Sequence, residues 1–366
     1  MTGDVRVDAE LLRAFVAMAL GAVGVREEDA RITADVLVTS DLRGHESHGV
    51  ARLETFYVRP IQSGRIDPMA RMAVRHETAA TLVCDAANGL GQPAAKRAMD
   101  LCIAKARTAG VCVASVRHSN HYGIAGYYAM QALAHDMIGF CCTDAGPLAV
   151  PTGGRAAVLG SNPIAFAAPA GRQRPFVLDM ATSVVPVGKV EVKARRAAPL
   201  PAGWAVDEEG CPATDAREVL DRLDGALLGG LMPLGGLEAG HKGYGLSVMV
   251  DILCGVLAGA RSGLGGQGAH SADSAADVGH VVGAIDIAAF GPVDDFMRDM
   301  DAYIDKLHHV PPAPGVDRVR VAGELEFEAE QDRLRDGIPL HPDVAASLRA
   351  LGDELGIATP RGRAGL

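Results

Sequence analysis

The chain has 366 residues, of which 48% are hydrophobic and 22% charged, a balance typical of an enzyme-sized protein with a substantial core. Its formal net charge of −10 argues against nucleic acid or an anionic membrane surface as the main partner. A local basic pocket for a small anionic substrate is compatible with that charge.

The cysteines lie in largely apolar surroundings and include no Cys-X-X-Cys pair, which is typical of buried free thiols in a reducing compartment. The first residues lack a signal-peptide pattern, and the longest apolar run, at 244–260, contains Asp251 and is short for a membrane span. We therefore expect a cytoplasmic protein.

Helical periodicity at residues 8–21, 27–42 and 50–62 predicts a helical unit at the start of the chain. Before the third run stands Arg-Gly-His-Glu-Ser-His-Gly-Val-Ala-Arg at 43–52. On a helix that starts near Gly49, His48 and Arg52 would share one face. Together they would supply a proton donor beside a carboxylate clamp, as reduction of a 2-oxo acid requires. The alternative is an ordinary helix start capped by Ser47.

The pattern then predicts strands at 72–76 and 81–85, a helix at 92–110 and a buried strand at 111–116. A polar cluster at 117–123 follows this strand directly and precedes a helix at 124–135. Alpha/beta proteins place their chemistry at such positions. His121, at the helix entrance, is the stronger candidate there, and its alternative role is to satisfy backbone groups at the helix end.

Strands are predicted at 137–143 and 176–180, and Asp179 lies near the end of the second. A carboxylate there can orient a catalytic imidazole, or it can cap the following turn. The small and hydroxyl-bearing residues at 181–183 suit a phosphate or ribose contact. Lys242, before a predicted helix, can also meet a cofactor phosphate, although a solvated lysine at a turn is the more usual case.

Residues 263–268 match the Gly-X-Gly-X-X-Gly pattern of dinucleotide-binding folds, but they follow a helix rather than a strand. The sequence therefore does not support a conventional Rossmann fold, and we interpret these residues as a mobile loop. A strand-like run at 279–287, a helix at 292–308, and helical runs at 326–335 and 343–355 complete the chain. We expect this tail to pack back on the N-terminal helices.

Several motifs together resemble the type-2 malate/L-lactate dehydrogenase family, which includes ureidoglycolate, sulfolactate and diketogulonate oxidoreductases and piperideine-2-carboxylate reductases. The motifs are Ser-His-Gly-Val-Ala-Arg at 47–52, Ser-Asn-His-Tyr-Gly at 119–123, Val-Pro-Thr-Gly-Gly at 150–154, Leu-Gly-Ser-Asn-Pro-Ile at 159–164, Leu-Asp-Met-Ala-Thr-Ser at 178–183, Gly-Lys-Val at 188–190 and His-Lys-Gly-Tyr-Gly at 241–245. Because they occur in the same order along the chain, the resemblance is far more specific than any single motif.

The resemblance implies an α/β fold with a non-Rossmann, NAD(P)-binding central domain at 71–290. It implies a second, mainly helical domain formed by both chain ends, 1–70 and 291–366. It also implies a homodimer with its active site near the subunit boundary, and hydride transfer between nicotinamide and a small 2-oxo or 2-hydroxy acid. No metal is expected, because the histidines lack ligand spacing on a helix.

By motif, His48 and His121 are the acid/base candidates; the resemblance does not decide which delivers the proton, and His48 is favoured. Ser47 would support His48, Asp179 would complete a Ser–His–Asp relay, and Arg52 would hold the substrate carboxylate. The implied cofactor contacts are His48, Ser119, Asn120, His121, Tyr122, Gly123, Val177, Leu178, Asp179, Met180, Ala181, Thr182, Ser183, His241, Lys242, Gly323 and Glu324.

The chain departs from the family pattern at Asp144, where Asn is common. We predict Asp144 as a substrate contact, because a carboxylate there can repel an acidic side chain or attract an amino group. The alternative function is therefore NADPH-dependent reduction of a cyclic imino acid of the piperideine- or pyrroline-2-carboxylate type. A second alternative is a catalytically silent binding protein on the same fold. The sequence leaves both NAD and NADP open as the cofactor.

Overall fold

The structure is a computed structural model that describes residues 4–225, 228–261, 275–360 and 362. The strands are β1 (Val5–Val7), β2 (Ala73–Glu77), β3 (Thr81–Asp85), β4 (Val111–Ser119), β5 (Met137–Thr143), β6 (Ile164–Ala168), β7 (Phe176–Met180), β8 (Ala205–Val206), β9 (Gly230–Leu231), β10 (Val278–Asp286) and β11 (Ile338–Leu340). The α-helices are α1 (Ala9–Ala22), α2 (Glu27–Leu42), α3 (Arg59–Gln62), α4 (Gly91–Ala109), α5 (Gly126–Gln131), α6 (Val187–Arg195), α7 (Ala216–Gly225), α8 (Gly236–Asp251), α9 (Val293–His308), α10 (Glu324–Asp336) and α11 (Pro342–Leu355). Two π-helical stretches lie at Leu53–Val58 and Ile252–Leu257.

A seven-stranded sheet forms the centre of the molecule, in the order β2-β3-β4-β10-β5-β6-β7. Among the described strands of this sheet, only β3 and β4 pair in parallel, and all other neighbours are antiparallel. A Rossmann sheet is mostly parallel because each strand crosses over through a helix. The predicted α/β class with a non-Rossmann arrangement is confirmed. The discounted motif at 263–268 lies outside the described residues.

Helices α4 and α5 cover one face of this sheet, and small side chains let them approach closely. The buried positions of α4 include Ala94, Ala95, Ala98, Cys102 and Ala106, each at most 3% exposed. With few aromatic residues available, this core is filled mainly by Ala, with Val, Cys and Met among the larger side chains. This packing fixes the end of β4, from which one predicted catalytic loop emerges.

The two chain ends meet outside the central sheet. Strands β1 and β11 pair antiparallel, and α1, α2 and α11 share a second hydrophobic core. Helix α9 contacts the central domain instead, where its Asp301 accepts hydrogen bonds from the backbone of Gly171 and Arg172 in the turn between β6 and β7. The exact domain boundaries stay a prediction. Within the described part of the chain, none of the helices has the length and apolar character needed to cross a bilayer.

Candidate active site

The predicted catalytic segment consists of two short turns rather than one helix. Turns of 3-10 type at Glu46–His48 and Val50–Arg52 are separated by Gly49, whose backbone is extended at φ −88° and ψ −151°. Because this residue interrupts the helical repeat, the predicted α-helical face shared by His48 and Arg52 is wrong. The π-helical stretch follows directly, and such stretches are frequent at functional sites.

Asp41, in the last turn of α2, determines the path of this segment. Its Oδ2 accepts a hydrogen bond from the N–H of Val50 at 2.8 Å, and a Cβ on residue 49 would lie 2.0 Å from its Oδ1. Only glycine fits at position 49. Burial raises the pKa of Asp41 to about 7, although the Val50 hydrogen bond opposes that effect. The sequence analysis missed Asp41, since nothing in the chain pattern marks this contact.

The imidazole of His48 is half-buried and favours its neutral form. Its Nδ1 lies 2.9 Å from Oγ of Ser47, as the motif predicted for this pair. Burial, followed by the nearby charges of Arg52 and His45, lowers the pKa of His48 to about 4. At neutral pH the imidazole is therefore uncharged, so it can hydrogen-bond to a substrate but rarely holds a second proton to give away.

His121 lies in the loop between β4 and α5 and is hydrogen-bonded through a buried tyrosine. Its Nδ1 lies 2.6 Å from Oη of Tyr57, and that oxygen accepts a hydrogen bond from Nε2 of Gln92 at 2.7 Å. Because the phenol oxygen already accepts one N–H, its own proton points to Nδ1. The ring proton of neutral His121 then sits on Nε2. The sequence analysis missed both Tyr57 and Gln92.

The two candidate histidines face each other across the site. The ring centroids of His48 and His121 are 5.7 Å apart and the planes differ by 20°, while Phe56 packs edge-on against His121 with its centroid 5.0 Å away. The fold therefore brings together the two imidazoles that the motifs named as acid/base candidates. A carbonyl oxygen bound here would meet two different imidazole environments.

Arg52 extends from the second turn into the same region. Its Nε donates to the backbone oxygen of Ser47 at 2.8 Å, and its guanidinium lies over the ring of Phe56, 5.2 Å from the centroid. Its Nη2 is 3.3 Å from each carboxylate oxygen of Glu191 on α6. The side chain that was predicted to hold the substrate carboxylate therefore faces a carboxylate of the protein itself.

The predicted Ser47–His48–Asp179 relay is not formed. Oδ2 of Asp179 accepts a hydrogen bond from the backbone N–H of Gly126 at 2.7 Å, at the start of α5, instead of contacting His48. Burial raises the pKa of Asp179, and the charges of His45 and Arg43 oppose that shift together with the Gly126 hydrogen bond. The side chain therefore fixes the junction between β7 and α5.

A buried histidine that the sequence analysis missed organises the ends of three strands. His280 on β10 has Nε2 2.8 Å from Oγ of Ser119 and Nδ1 2.7 Å from Oγ1 of Thr143. Burial lowers the pKa of His280 to about 3, so the ring stays neutral with one donor and one acceptor nitrogen. Asp144, the predicted substrate contact, is 1% exposed and accepts the N–H of Gly279 at 2.8 Å.

Part of the predicted cofactor set lines one cavity of about 250 Å³. Its walls include the consecutive Val177, Leu178 and Asp179 of β7 together with Gly323 at the start of α10. Gly323 has φ +97°, and a Cβ there would lie 2.9 Å from the Cβ of Val177. Glycine is therefore required by both the backbone conformation and the available space.

The charges around this cavity fit a nicotinamide dinucleotide. Arg43, His45 and Arg320 line it and can meet a diphosphate, as can the N-terminus of the 13-residue helix α10. Asp179 and Glu326 add carboxylates of the kind that bind ribose hydroxyls. The described residues include no cluster of three or more side chains that could hold a metal ion.

Other predicted cofactor residues are tied into the protein itself. The amide of Asn120 donates to the backbone oxygen of Gly89 at 2.9 Å, and Oη of Tyr122 lies 3.2 Å from Sγ of Cys141. These two side chains hold the loop in shape, so a ligand would meet the backbone groups of the loop rather than these side chains. Glu324 is also paired within the protein, because its Oε1 lies 2.5 Å from Nε2 of His308.

After β7, Met180 ends the strand and Ala181 follows it. Oγ1 of Thr182 donates to the backbone of Ser161 at 3.1 Å and Oγ of Ser183 to that of Val185 at 2.9 Å. The hydroxyls predicted for phosphate or ribose therefore make backbone contacts in this structure.

His241 and Lys242 occupy a different setting from the predicted one. Both side chains are exposed, and they lie inside α8, which begins at Gly236. The helix is kinked at Ala239, whose φ of −123° and ψ of 15° are not helical, so Lys242 lies in the first turn after this break rather than ahead of a helix. Neither residue lines the cavity described above.

Comparison with known proteins gives concordant matches. The family model described as malate/L-lactate dehydrogenase matches residues 7–349. Malate dehydrogenase of Pyrococcus horikoshii is 42% identical over 356 residues, covering 96% of each chain, and L-sulfolactate dehydrogenase of Methanocaldococcus jannaschii is 37% identical over 91% of this chain and 92% of its own. The crystal structure of malate dehydrogenase from Entamoeba histolytica superimposes with a TM-score of 0.92 at 32% identity, covering 98% of this chain and all of that one.

Proposed function

Since the chain belongs to the malate/L-lactate dehydrogenase family, we propose that it reduces a small 2-oxo acid with His121 as the proton donor and Arg52 as the carboxylate clamp. The family resemblance stated from the motifs is confirmed. The protein is an oxidoreductase that uses a nicotinamide cofactor and acts on the CH–OH group of a 2-hydroxy acid. Residue roles, the choice between NAD and NADP, and the oligomeric state belong to the proposal.

The observation that carries the proposal is the pair of facing imidazoles beside Arg52. When bound, the reduced nicotinamide supplies a hydride to the carbonyl carbon. Arg52 orients the substrate carboxylate, and positioning of this kind brings the reacting carbon into register. The cavity beside Val177 and Gly323 is proposed to hold part of the dinucleotide, since its cations match a diphosphate and its carboxylates match ribose.

The different environments of the two histidines support distinct roles. His48, with its pKa lowered to about 4, is neutral in the working range and donates a hydrogen bond to the developing alkoxide. His121 delivers the proton from Nε2 while its Nδ1 takes up the hydroxyl proton of Tyr57, so the ring stays neutral and the negative charge passes to the phenol oxygen, to which Nε2 of Gln92 donates a hydrogen bond. This reverses the preference for His48 that the motifs alone gave. General acid catalysis of this kind contributes roughly 10²–10⁴-fold to the rate.

We also propose a homodimer, which the family resemblance implied. Exposed apolar side chains cluster at the end of α8 and in the π-helical stretch after it, with Met249, Ile252, Val256 and Leu257 each between 42% and 65% exposed. A second copy of this chain is the occupant that a symmetric dimer would provide. Light scattering coupled to size exclusion should give twice the chain mass, and Ile252→Asp should reduce it to one chain.

The direct experiment is loss of absorbance from NADH and, separately, NADPH, against 2-oxo acids and cyclic imino acids. Turnover of a 2-oxo acid is the expected result, and the better cofactor is identified in the same assay. His121→Asn should lower kcat by about 10²–10⁴-fold, and His48→Asn by about tenfold. A larger loss for His48→Asn would contradict the assigned proton donor.

The cyclic imino acids in this panel test the alternative activity. In this structure Asp144 is buried and accepts a backbone N–H, an arrangement that secures strand ends rather than one that favours an imine. Exclusive turnover of piperideine- or pyrroline-2-carboxylate would establish the reductase alternative instead. Binding of a cofactor without turnover of any compound would establish the silent binding protein.

A further inference from the structure

The ion pair that Arg52 makes with Glu191 is weak, so its guanidinium can still bind another carboxylate. Both contacts to Glu191 involve the same nitrogen, Nη2, at 3.3 Å. A strong arginine–carboxylate pair uses two parallel N–H donors at about 2.7–2.9 Å. Within the described part of the chain, Nη1 has no hydrogen-bond acceptor. The pair is also partly solvated, with side-chain exposures of 23% and 32%.

Glu191 reaches Arg52 because α6 is anchored at its first turn. A Cβ on Gly188 would lie 2.6 Å from the Cβ of Ser47, so this turn of α6 rests directly on the catalytic segment. Glu191 follows one helical turn later and projects to the same side, toward Arg52. The motif at 188–190 thereby gains a structural role that the sequence analysis did not give it.

We propose that Glu191 is an internal competitor for the carboxylate site of Arg52 and so a determinant of substrate affinity. This inference rests on the proposed function, in which Arg52 binds the substrate carboxylate. A bound 2-oxo acid takes the two-nitrogen fork of Arg52, and the Glu191 carboxylate turns toward solvent. Because the internal pair is long, single-nitrogen and partly solvated, displacing it costs about what an exposed ion pair contributes.

The competing arrangement predicts a specific kinetic signature. Glu191→Gln keeps the size of the side chain and removes the charge, so KM for a 2-oxo acid should fall by about fivefold, which corresponds to about 1 kcal/mol. The kcat should stay within about twofold, because Glu191 does not contact the reacting carbon in this scheme. For methyl pyruvate, which lacks the carboxylate charge, KM should not change.

The experiment compares wild type, Glu191→Gln and Glu191→Ala with pyruvate, oxaloacetate and methyl pyruvate under identical salt. Glu218→Gln, at an exposed position of α7, is the matched control for loss of one negative charge. A double-mutant cycle with Arg52→Leu adds a second test, since Glu191→Gln should not alter KM when Arg52 is absent. Titration of oxamate into the enzyme with reduced cofactor, followed by nicotinamide fluorescence, measures affinity without turnover.

The outcomes separate this inference from the proposed function. A raised KM in Glu191→Gln would mean that Glu191 holds Arg52 in its binding position, and an unchanged KM would mean that it does neither; both results overturn the inference. An equal decrease of KM for methyl pyruvate would also overturn it. Absence of turnover by the wild type on the whole panel would instead count against the proposed function, and the oxamate titration would still compare the affinities.

Discussion

Removal of one hydroxyl, in Tyr57→Phe, tests whether the protonation pattern of His121 is set by the buried chain behind it. Tyr57 is fully buried, and its oxygen lies between Nε2 of Gln92 at 2.7 Å and Nδ1 of His121 at 2.6 Å. Burial raises the pKa of Tyr57 above its usual value, so the phenol keeps its proton. That proton specifies Nδ1 as the acceptor and Nε2 as the nitrogen that bears hydrogen.

The size of the effect follows from what the variant leaves behind. The phenylalanine ring fills nearly the same space, but Gln92 Nε2 and His121 Nδ1 lose their shared partner. The amide of Gln92 is fully buried, so leaving its Nε2 without an acceptor costs about 1–3 kcal/mol of folding free energy. The preference for one tautomer falls by the value of one hydrogen bond, about 1–1.5 kcal/mol, so kcat should fall by about tenfold.

The assay combines kcat across pH with long-range ¹H–¹⁵N spectra of the imidazole rings, which distinguish the two tautomers. Tyr127→Phe is the matched control, because it removes a hydroxyl that donates to Asp35 at 2.8 Å and does not contact either histidine. It should lose stability and keep kcat. If Tyr57→Phe kept both kcat and the Nε2-protonated form of His121, the reasoning would be refuted.

Three further outcomes follow from the groups around the site. Gly49→Ala should destabilise the fold by about 1–3 kcal/mol and reduce activity, because the new Cβ overlaps the carboxylate of Asp41. Chemical denaturation measures the stability, and kcat/KM measures the activity. A variant as stable as wild type would contradict the crowding. The raised pKa of Asp41 means that the folded state holds the extra proton between pH 4 and 7, so wild-type stability falls over that range as pH rises. Asp41→Asn should therefore gain on wild type by about 1–4 kcal/mol from pH 4 to 7, and a constant difference would refute this. The lowered pKa of His280 has the opposite effect on stability, because the unfolded chain binds the proton first as pH falls below about 6.5. Between pH 7.5 and 5 the free energy of unfolding of wild type should therefore fall by about 2 kcal/mol relative to His280→Gln. Urea unfolding at each pH measures this difference.

The sheet could be predicted well where strands are continuous apolar runs with clear ends. Strands β3, β5 and β7 have the predicted bounds, since each run is bordered by residues that favour turns. Strand β6 was missed because Ile164–Ala168 is rich in alanine and follows a turn signal at Asn162. Strands β1 and β11 have only three residues each, and their pairing joins opposite chain ends, which no local pattern can reveal.

The sequence predicted which residues form the site better than it predicted the contacts between them. Motifs identified Ser47, His48, Arg52 and His121, and the fold brings these four together. The contacts that adjust them come from distant positions: Glu191 lies 139 residues beyond Arg52 in the sequence. Such partners depend on how α6 packs, and packing is a tertiary property that periodicity does not encode.

The two histidines show why tertiary context decides function here. By residue type they are equivalent proton donors with the same usual pKa. In the fold, His48 is desolvated beside the cation of Arg52, which makes its protonated form costly. His121 instead has a hydroxyl donor at Nδ1, which leaves its Nε2 proton for the substrate side. An imidazole that stays neutral beside the guanidinium of Arg52 has no second proton to give, whereas His121 is joined through Tyr57 to Gln92 by hydrogen bonds. This chain is the reason that the proposed function assigns proton delivery to His121.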